Sequence, residues 1–221
     1  MLISAISDTH GRAGWDIPEC DVFIHAGDMT AWGSLHETES LVRRLERQLE
    51  RGLIWDGVIL VPGNHDQDCF ERLDDIKNLS KDPRIHWLIN DAITIEGKKF
   101  FGSAYTPPFM DWFFMAAEPE LERMYAAMPR ELDVLITHGP PYGILDPGYQ
   151  ADHVGSHALL DAVSRRNIRH HVFGHLHSAG GLTRPVAFID TEWGNITTQF
   201  HNVAAVDEAY QLRRGCFEFE I

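Results

Sequence analysis

Cysteine, net positive charge and long apolar runs are what this chain has least of. Its three cysteines, Cys20, Cys69 and Cys216, are odd in number and far apart, and form no CxxC pair, so no disulfide framework is expected. Lys and Arg number 19 against 33 Asp and Glu, a formal net charge of −14. Binding along a nucleic acid draws on a basic field, so an extended nucleic-acid partner is disfavoured. A small anion stays open, because bound divalent metals reverse the local potential. No apolar run approaches the roughly 20 residues that cross a bilayer. Met1–Ser7 runs straight into a strand-like segment, without the basic start, apolar stretch and cleavage site of a signal peptide. The expectation is a cytoplasmic protein with reduced cysteines and no membrane partner. No repeat, low-complexity tract or linker divides the 221 residues, which fit one domain, 1–221, with a substantial core.

What the chain does have is a series of short apolar runs, each closed by a polar cluster. Leu2–Ser7 leads to Asp8-Thr9-His10, Asp21–His25 to Gly27-Asp28, and Val58–Val61 to Gly63-Asn64-His65-Asp66. Val134–Thr137 leads to His138-Gly139-Pro140-Pro141, and His171–Phe173 to Gly174-His175-Leu176-His177. Runs this short, rich in Val and Ile and ended by Gly or Pro, read as buried strands. Between them, Ser34 and Glu37 have the spacing of a capping box, Leu41, Leu45 and Leu49 make one apolar face, and Gly52 can close the helix. Further helices are expected over 70–79, 117–128 and 156–167. Ala92–Ile95 and Lys99–Gly102 read as a hairpin around Glu96-Gly97-Lys98, and Val186–Ile189 and Phe217–Ile221 as strands. The alternation implies an α/β domain with mixed pairing and with its polar clusters at the carboxyl ends of strands, where such sheets place their ligands.

Two metal ions held close together need a bridging anionic oxygen and further oxygen or nitrogen donors. Asp8, His10, Asp28, Asn64, His138, His175 and His177 supply such a set, each at or just beyond a strand end. A spacing of two puts both side chains of DxH or HxH on one face of an extended segment. Histidine, carboxylate and amide donors suit manganese, iron or zinc better than magnesium or calcium. One such triplet is weak, but five clusters in one order are not an accident.

In that order the blocks Asp8-Thr9-His10, Gly27-Asp28, Gly63-Asn64-His65-Asp66, Thr137–Pro141 and Gly174–His177 resemble the signature of calcineurin-like metallophosphoesterases. The resemblance implies a four-layer α/β/β/α sandwich, two mixed β-sheets flanked by helices. It also implies a dinuclear site: Asp8, His10, Asp28 and His177 around one metal, Asp28, Asn64, His138 and His175 around the other, Asp28 bridging. A narrower similarity, through His25–Thr30, Gly102–Pro107, Asp133–Pro141 and His171–His177, points to the small metallophosphoesterase-domain branch, associated with cyclic-nucleotide phosphodiesterase activity. Calcineurin-like protein phosphatases read GDxVDRG at the second block. Here Gly27-Asp28-Met29-Thr30-Ala31-Trp32-Gly33 lacks the second Asp, which leaves His65 without its usual orienting partner.

The activity so implied is hydrolysis of a small phosphate ester, a nucleotide diester first, by a water or hydroxide held between the metals. Asp28 and Asn64 serve the metals and His65 protonates the leaving oxygen. A phosphomonoesterase or nuclease on the same site is the alternative, and a non-catalytic metal-binding module the alternative of another class. Arg12 could bind a phosphate oxygen. Tyr105 and Trp112 belong to an aromatic-rich stretch, 105–114, that either stacks a nucleobase or packs as a flap on the domain or on a second subunit, in a homodimer. His25 is expected behind the ligands and Asp66 as a loop cap.

Overall fold

The computed structural model describes residues 1–148 and 152–221. Strand β1 (Leu2–Ile6) is followed by β2 (Cys20–Ala26), helix α1 (Leu35–Glu50) and β3 (Ile54–Val61). Then come α2 (Gln67–Glu71), α3 (Leu73–Lys77), β4 (Ile85–Trp87), β5 (Asp91–Ile95), β6 (Lys98–Ser103) and α4 (Glu118–Tyr125). The chain closes with β7 (Glu131–Thr137), α5 (His157–Ser164), β8 (Asn167–Phe173), β9 (Thr183–Thr191), β10 (Gly194–Asn202) and β11 (Phe217–Glu220).

These strands form two mixed sheets, ordered β11-β1-β2-β3-β4 and β5-β6-β7-β8-β10-β9. Within them β1 to β4 run parallel with β11 reversed, and β6, β7, β8 and β10 run parallel with β5 and β9 reversed. Side-chain alternation sorts the core into layers. Phe100, Val134 and Ile136 pack between the sheets together with Ile3, Ile24 and Ile59. Their neighbours Phe101 and Leu135 point the other way, onto Leu121 and Tyr125 of α4 and Leu159 and Val163 of α5. On the far side Val42, Leu45 and Leu49 of α1 cover the first sheet. The result is the α/β/β/α sandwich that the sequence implied.

Several elements depart from expectation. Val42 rather than Leu41 is buried on α1, and Ser34 caps by position without a side-chain hydrogen bond. Gly52 ends α1 with φ +67, in the left-handed turn that a missing Cβ permits. The helix expected over 70–79 is two short ones broken at Arg72, whose φ of −137 is not helical. Strands β4 and β10 were not anticipated: β10 reads NITTQFHN, too polar for an apolar run, although Ile196, Thr198 and Phe200 alternate inward.

Candidate active site

All five polar blocks gather at the carboxyl edges of β1, β2, β3, β7 and β8, so each sheet contributes half of the site. The backbone leaves the strands abruptly there. Asp8, His10, Asp28 and His175 have φ of 52, 44, 52 and 65, a left-handed conformation that costs a non-glycine residue about 1 kcal/mol or more. DTH and HLH are therefore not extended, as the spacing argument assumed: the turns past the strand ends, not the pleat, converge these side chains. Hydrogen bonds hold the turns. Asp8 N donates to Gly27 O (2.9 Å), His10 N to Asp28 O (3.0 Å) and Gly174 N to His138 O (2.9 Å).

Close approach then decides which neighbours are tolerated. A Cβ on Gly174 would collide with Ser7 Oγ and Asp8 Oδ2, and one on Gly63 with Asp28 Oδ1 and the His138 ring. Glycine before the ligand is what lets the carboxylates come in.

Three overlapping groups of donors result. Asp8, His10 and His177 bring ligand atoms within 4.8 Å of one another, as do Asp28, His138 and His175, and as do His10, Asp28 and His65 between them. His177 Nε2 lies 3.3 Å from Asp8 Oδ1 and 3.3 Å from His10 Nε2, and His10 Nε2 lies 3.8 Å from Asp28 Oδ2. His138 donates from Nδ1 to Ala26 O (3.0 Å), which turns Nε2 toward Asn64 Oδ1 (2.9 Å) and Asp28 Oδ1 (3.3 Å). These are nitrogen, carboxylate and amide-oxygen donors of the kind a metal needs, with a cation able to take the place of the proton that His138 shares with Asp28, so the set fits metal ions.

The titration of the metal-free site carries the same imprint. Burial alone would depress the His138 ring, but Asp28 outweighs it and raises the group to about 9. Burial pulls His10 and His175 down to about 4, leaving both neutral at pH 7. Burial pushes Asp8 up, yet its hydrogen bond to His177 and the charge on His138 win and bring it to about 2.

His65 stands at the edge of this array. Its N–H donates to Asp28 Oδ1 (2.8 Å), and its Nδ1 meets Ala31 O at 2.8 Å. Ala31 occupies the position of the absent second Asp, so a backbone carbonyl orients the ring in its place. Trp112 stacks on the imidazole at 4.1 Å and 28°, with Trp32 against Trp112 at 5.9 Å. Asp66 clamps the second and third blocks together, accepting from Gly63 N (2.8 Å), Thr30 N (2.9 Å) and Thr30 Oγ1 (2.9 Å). His25 is fully buried behind the ligands, 3.0 Å from Thr9 Oγ1.

Around the array opens a pocket of about 530 Å³. Trp112 lines it; Arg12 and Tyr105 do not. Arg12 is exposed, its carbonyl taken by Trp15 Nε1 at 3.0 Å, past a left-handed turn at Gly11 (φ +66). Tyr105 packs edge-on against Phe114 at 5.5 Å, as flap rather than platform. The stretch 105–114 is thus divided: Phe113 and Phe114 pack on Phe70 (5.7 and 5.2 Å), while Phe109 and Met110 face the pocket. Sequence reasoning missed Glu208 and Tyr210, which also line it. No motif marks them, and only the fold brings their loop back to the site.

The description of calcineurin-like phosphoesterases matches residues 1–179. A UPF0046 protein of Caenorhabditis elegans is 31% identical over 229 residues, covering all of this chain and 75% of the relative. Metallophosphoesterase domain-containing protein 1 of Homo sapiens is 31% identical over 204 residues, covering 80% of this chain; the aligned part is 60% of that protein's length. A crystal structure of TT1561 of Thermus thermophilus shares the fold, with a TM-score of 0.62 at 14% identity and 96% of each chain covered. The chain belongs to the calcineurin-like phosphoesterase family, whose members use divalent metal ions to hydrolyse phosphate esters.

Proposed function

We propose that this member of the family is a phosphodiesterase acting on small diesters with an apolar or aromatic ester group, nucleotides and cyclic nucleotides among them. The composition of the pocket carries this reading. Among the described residues lining it none is Lys or Arg, Glu208 adds a carboxylate, and Pro107, Phe109, Met110, Pro140, Val154 and Leu176 make an apolar wall. A monoester arrives with nearly two negative charges and calls for cationic side chains. A diester carries one charge and brings a second organic group for the apolar wall to cover.

In this reading Asp8, His10, Asp28 and His177 would hold one metal ion, and Asp28, Asn64, His138 and His175 the other. Bound there, such ions lower the pKa of water and offset charge on the phosphoryl oxygens. The carbonyl of Ala31 keeps a proton on His65 Nδ1, so Nε2 is the nitrogen that takes up a proton and passes it to the leaving oxygen. Trp112 holds the ring in that orientation. One face of Trp112 is thus taken up by His65.

The test compares kcat/KM for a bis-aryl phosphate, the matching aryl monophosphate and cyclic nucleotides on manganese-loaded protein. The diester is expected to lead the monoester by about tenfold or more, the size of discrimination that pocket contacts supply. A preference for the monoester would overturn the reading.

A further inference from the structure

The family match ends at residue 179, yet a side chain far beyond it reaches the donor array. Tyr210 lies on the loop between β10 and β11. Its ring stands edge-on to His10, His177 and His65, with centroids 4.8, 5.2 and 6.3 Å away. It lines the pocket and is 41% exposed, so it is not there to fill the core.

Its backbone is held in an unfavourable state. Tyr210 has φ +56, a region a bulky residue enters only when its surroundings dictate it. Asp207 does the dictating. Its Oδ1 accepts from Ala209 N (3.0 Å) and Gln211 N (2.9 Å), its Oδ2 from Arg213 Nε (2.7 Å), and its carbonyl from Tyr210 N (2.8 Å). The base of the loop is fastened beside the first ligand. Ser7 N donates to Val203 O (3.1 Å) and Ala205 N to Ser7 O (3.0 Å), while Val203 N donates to Phe173 O (2.8 Å). One short segment thereby ties both sheets together at the site and carries Tyr210 over it.

A phosphoryl oxygen not taken up by a metal needs a hydrogen-bond donor. With no Lys or Arg among the described lining residues and His65 engaged with the leaving oxygen, an uncharged side chain such as Tyr210 is left to supply that donor. We propose that Tyr210 is a substrate-binding residue whose hydroxyl donates to a non-bridging phosphoryl oxygen, a contact that strengthens as charge develops there in the transition state. This rests on the phosphoesterase reading of the site, and an uncharged donor suits the single charge of a diester.

Tyr210→Phe and Tyr210→Leu separate hydroxyl from ring, assayed as manganese-loaded full-length protein with metal content and thermal midpoint measured alongside. Tyr210→Phe is expected to keep its metals and its midpoint while kcat on the bis-aryl phosphate falls about tenfold to a hundredfold, with KM changed less. Wild-type kinetics for Tyr210→Phe with a loss only in Tyr210→Leu would assign the ring to packing and overturn the proposal. Wild-type kinetics for both would exclude any role. If the wild type turns over monoesters alone, the diester reading fails, and the same comparison on the monoester still decides the role of the hydroxyl.

Discussion

Two nitrogens of one ring at His138 serve different purposes: Nδ1 is spent on the carbonyl of Ala26, and Nε2 is left facing oxygens. In the metal-free protein that nitrogen keeps its proton up to about pH 9. His10 and His175 give theirs up near pH 4. Metal uptake between these limits has to displace the His138 proton, so affinity is expected to rise about tenfold per pH unit for each displaced proton. Chelator-buffered titrations with Mn²⁺ at pH 6.5 and 7.5 check this, and pH-independent binding would contradict it. His65 is tested by leaving group: His65→Ala is expected to lose about 10² to 10⁴ in kcat on a poorly activated alkyl diester and much less on a nitrophenyl one. At this scale the seven donors were legible because their chemistry and order are unusual. The orienting carbonyl of Ala31 was not, since a backbone group has no signature in sequence. Nor was the placement of Arg12, which depends on how the turn at Gly11 leaves the strand.

Among the elements, the turns that follow the strands matter more than the strands. Gly174→Ala places a methyl where Asp8 and Ser7 already sit, and is expected to lower metal occupancy while the fold, read by circular dichroism, persists. Asp66→Ala removes the acceptor for four buried donors, Met29 N, Thr30 N, Thr30 Oγ1 and Gly63 N. Its expected cost is about 2–4 kcal/mol by urea denaturation of the metal-free protein, because unpaired buried N–H groups lose their hydration without compensation. A change below about 0.5 kcal/mol would show that water replaces the carboxylate. The hairpin was readable from Glu96-Gly97, both with positive φ in the tight turn, and the end of α1 from Gly52. Strand β10 escaped because its burial is set by the partners it lies between, β8 and β9, and not by its own hydrophobicity.

Seen whole, the molecule is two sheets that share one centre. Asp8, His10, Asp28 and Asn64 follow strands of the first sheet, and His138, His175 and His177 follow strands of the second. Bound metals would staple the sheets together and neutralise the buried carboxylates of a chain carrying a net charge of −14. Removing metal with a chelator is therefore expected to lower the thermal midpoint by about 5–10 °C, given about 2.7 kcal/mol of linkage at a hundred times Kd. An unchanged midpoint would mean that the sheets are held without them. The sandwich itself was legible through the five motif blocks, whose family resemblance implies it, and the structure shows why it holds: Phe100 and Val134 face one core and Phe101 and Leu135 the other. The return of residues 203–213 to the site was not, because nothing local predicts a contact two hundred residues away.

The proposed chemistry depends most on Asp28 being shared between two ions. Metal content per chain, measured on wild-type protein and on Asp28→Ala loaded under the same conditions, tests that directly. Two metals per chain in the wild type and at most one in the variant are expected; a variant that still holds two would contradict the bridging carboxylate and the dinuclear mechanism built on it.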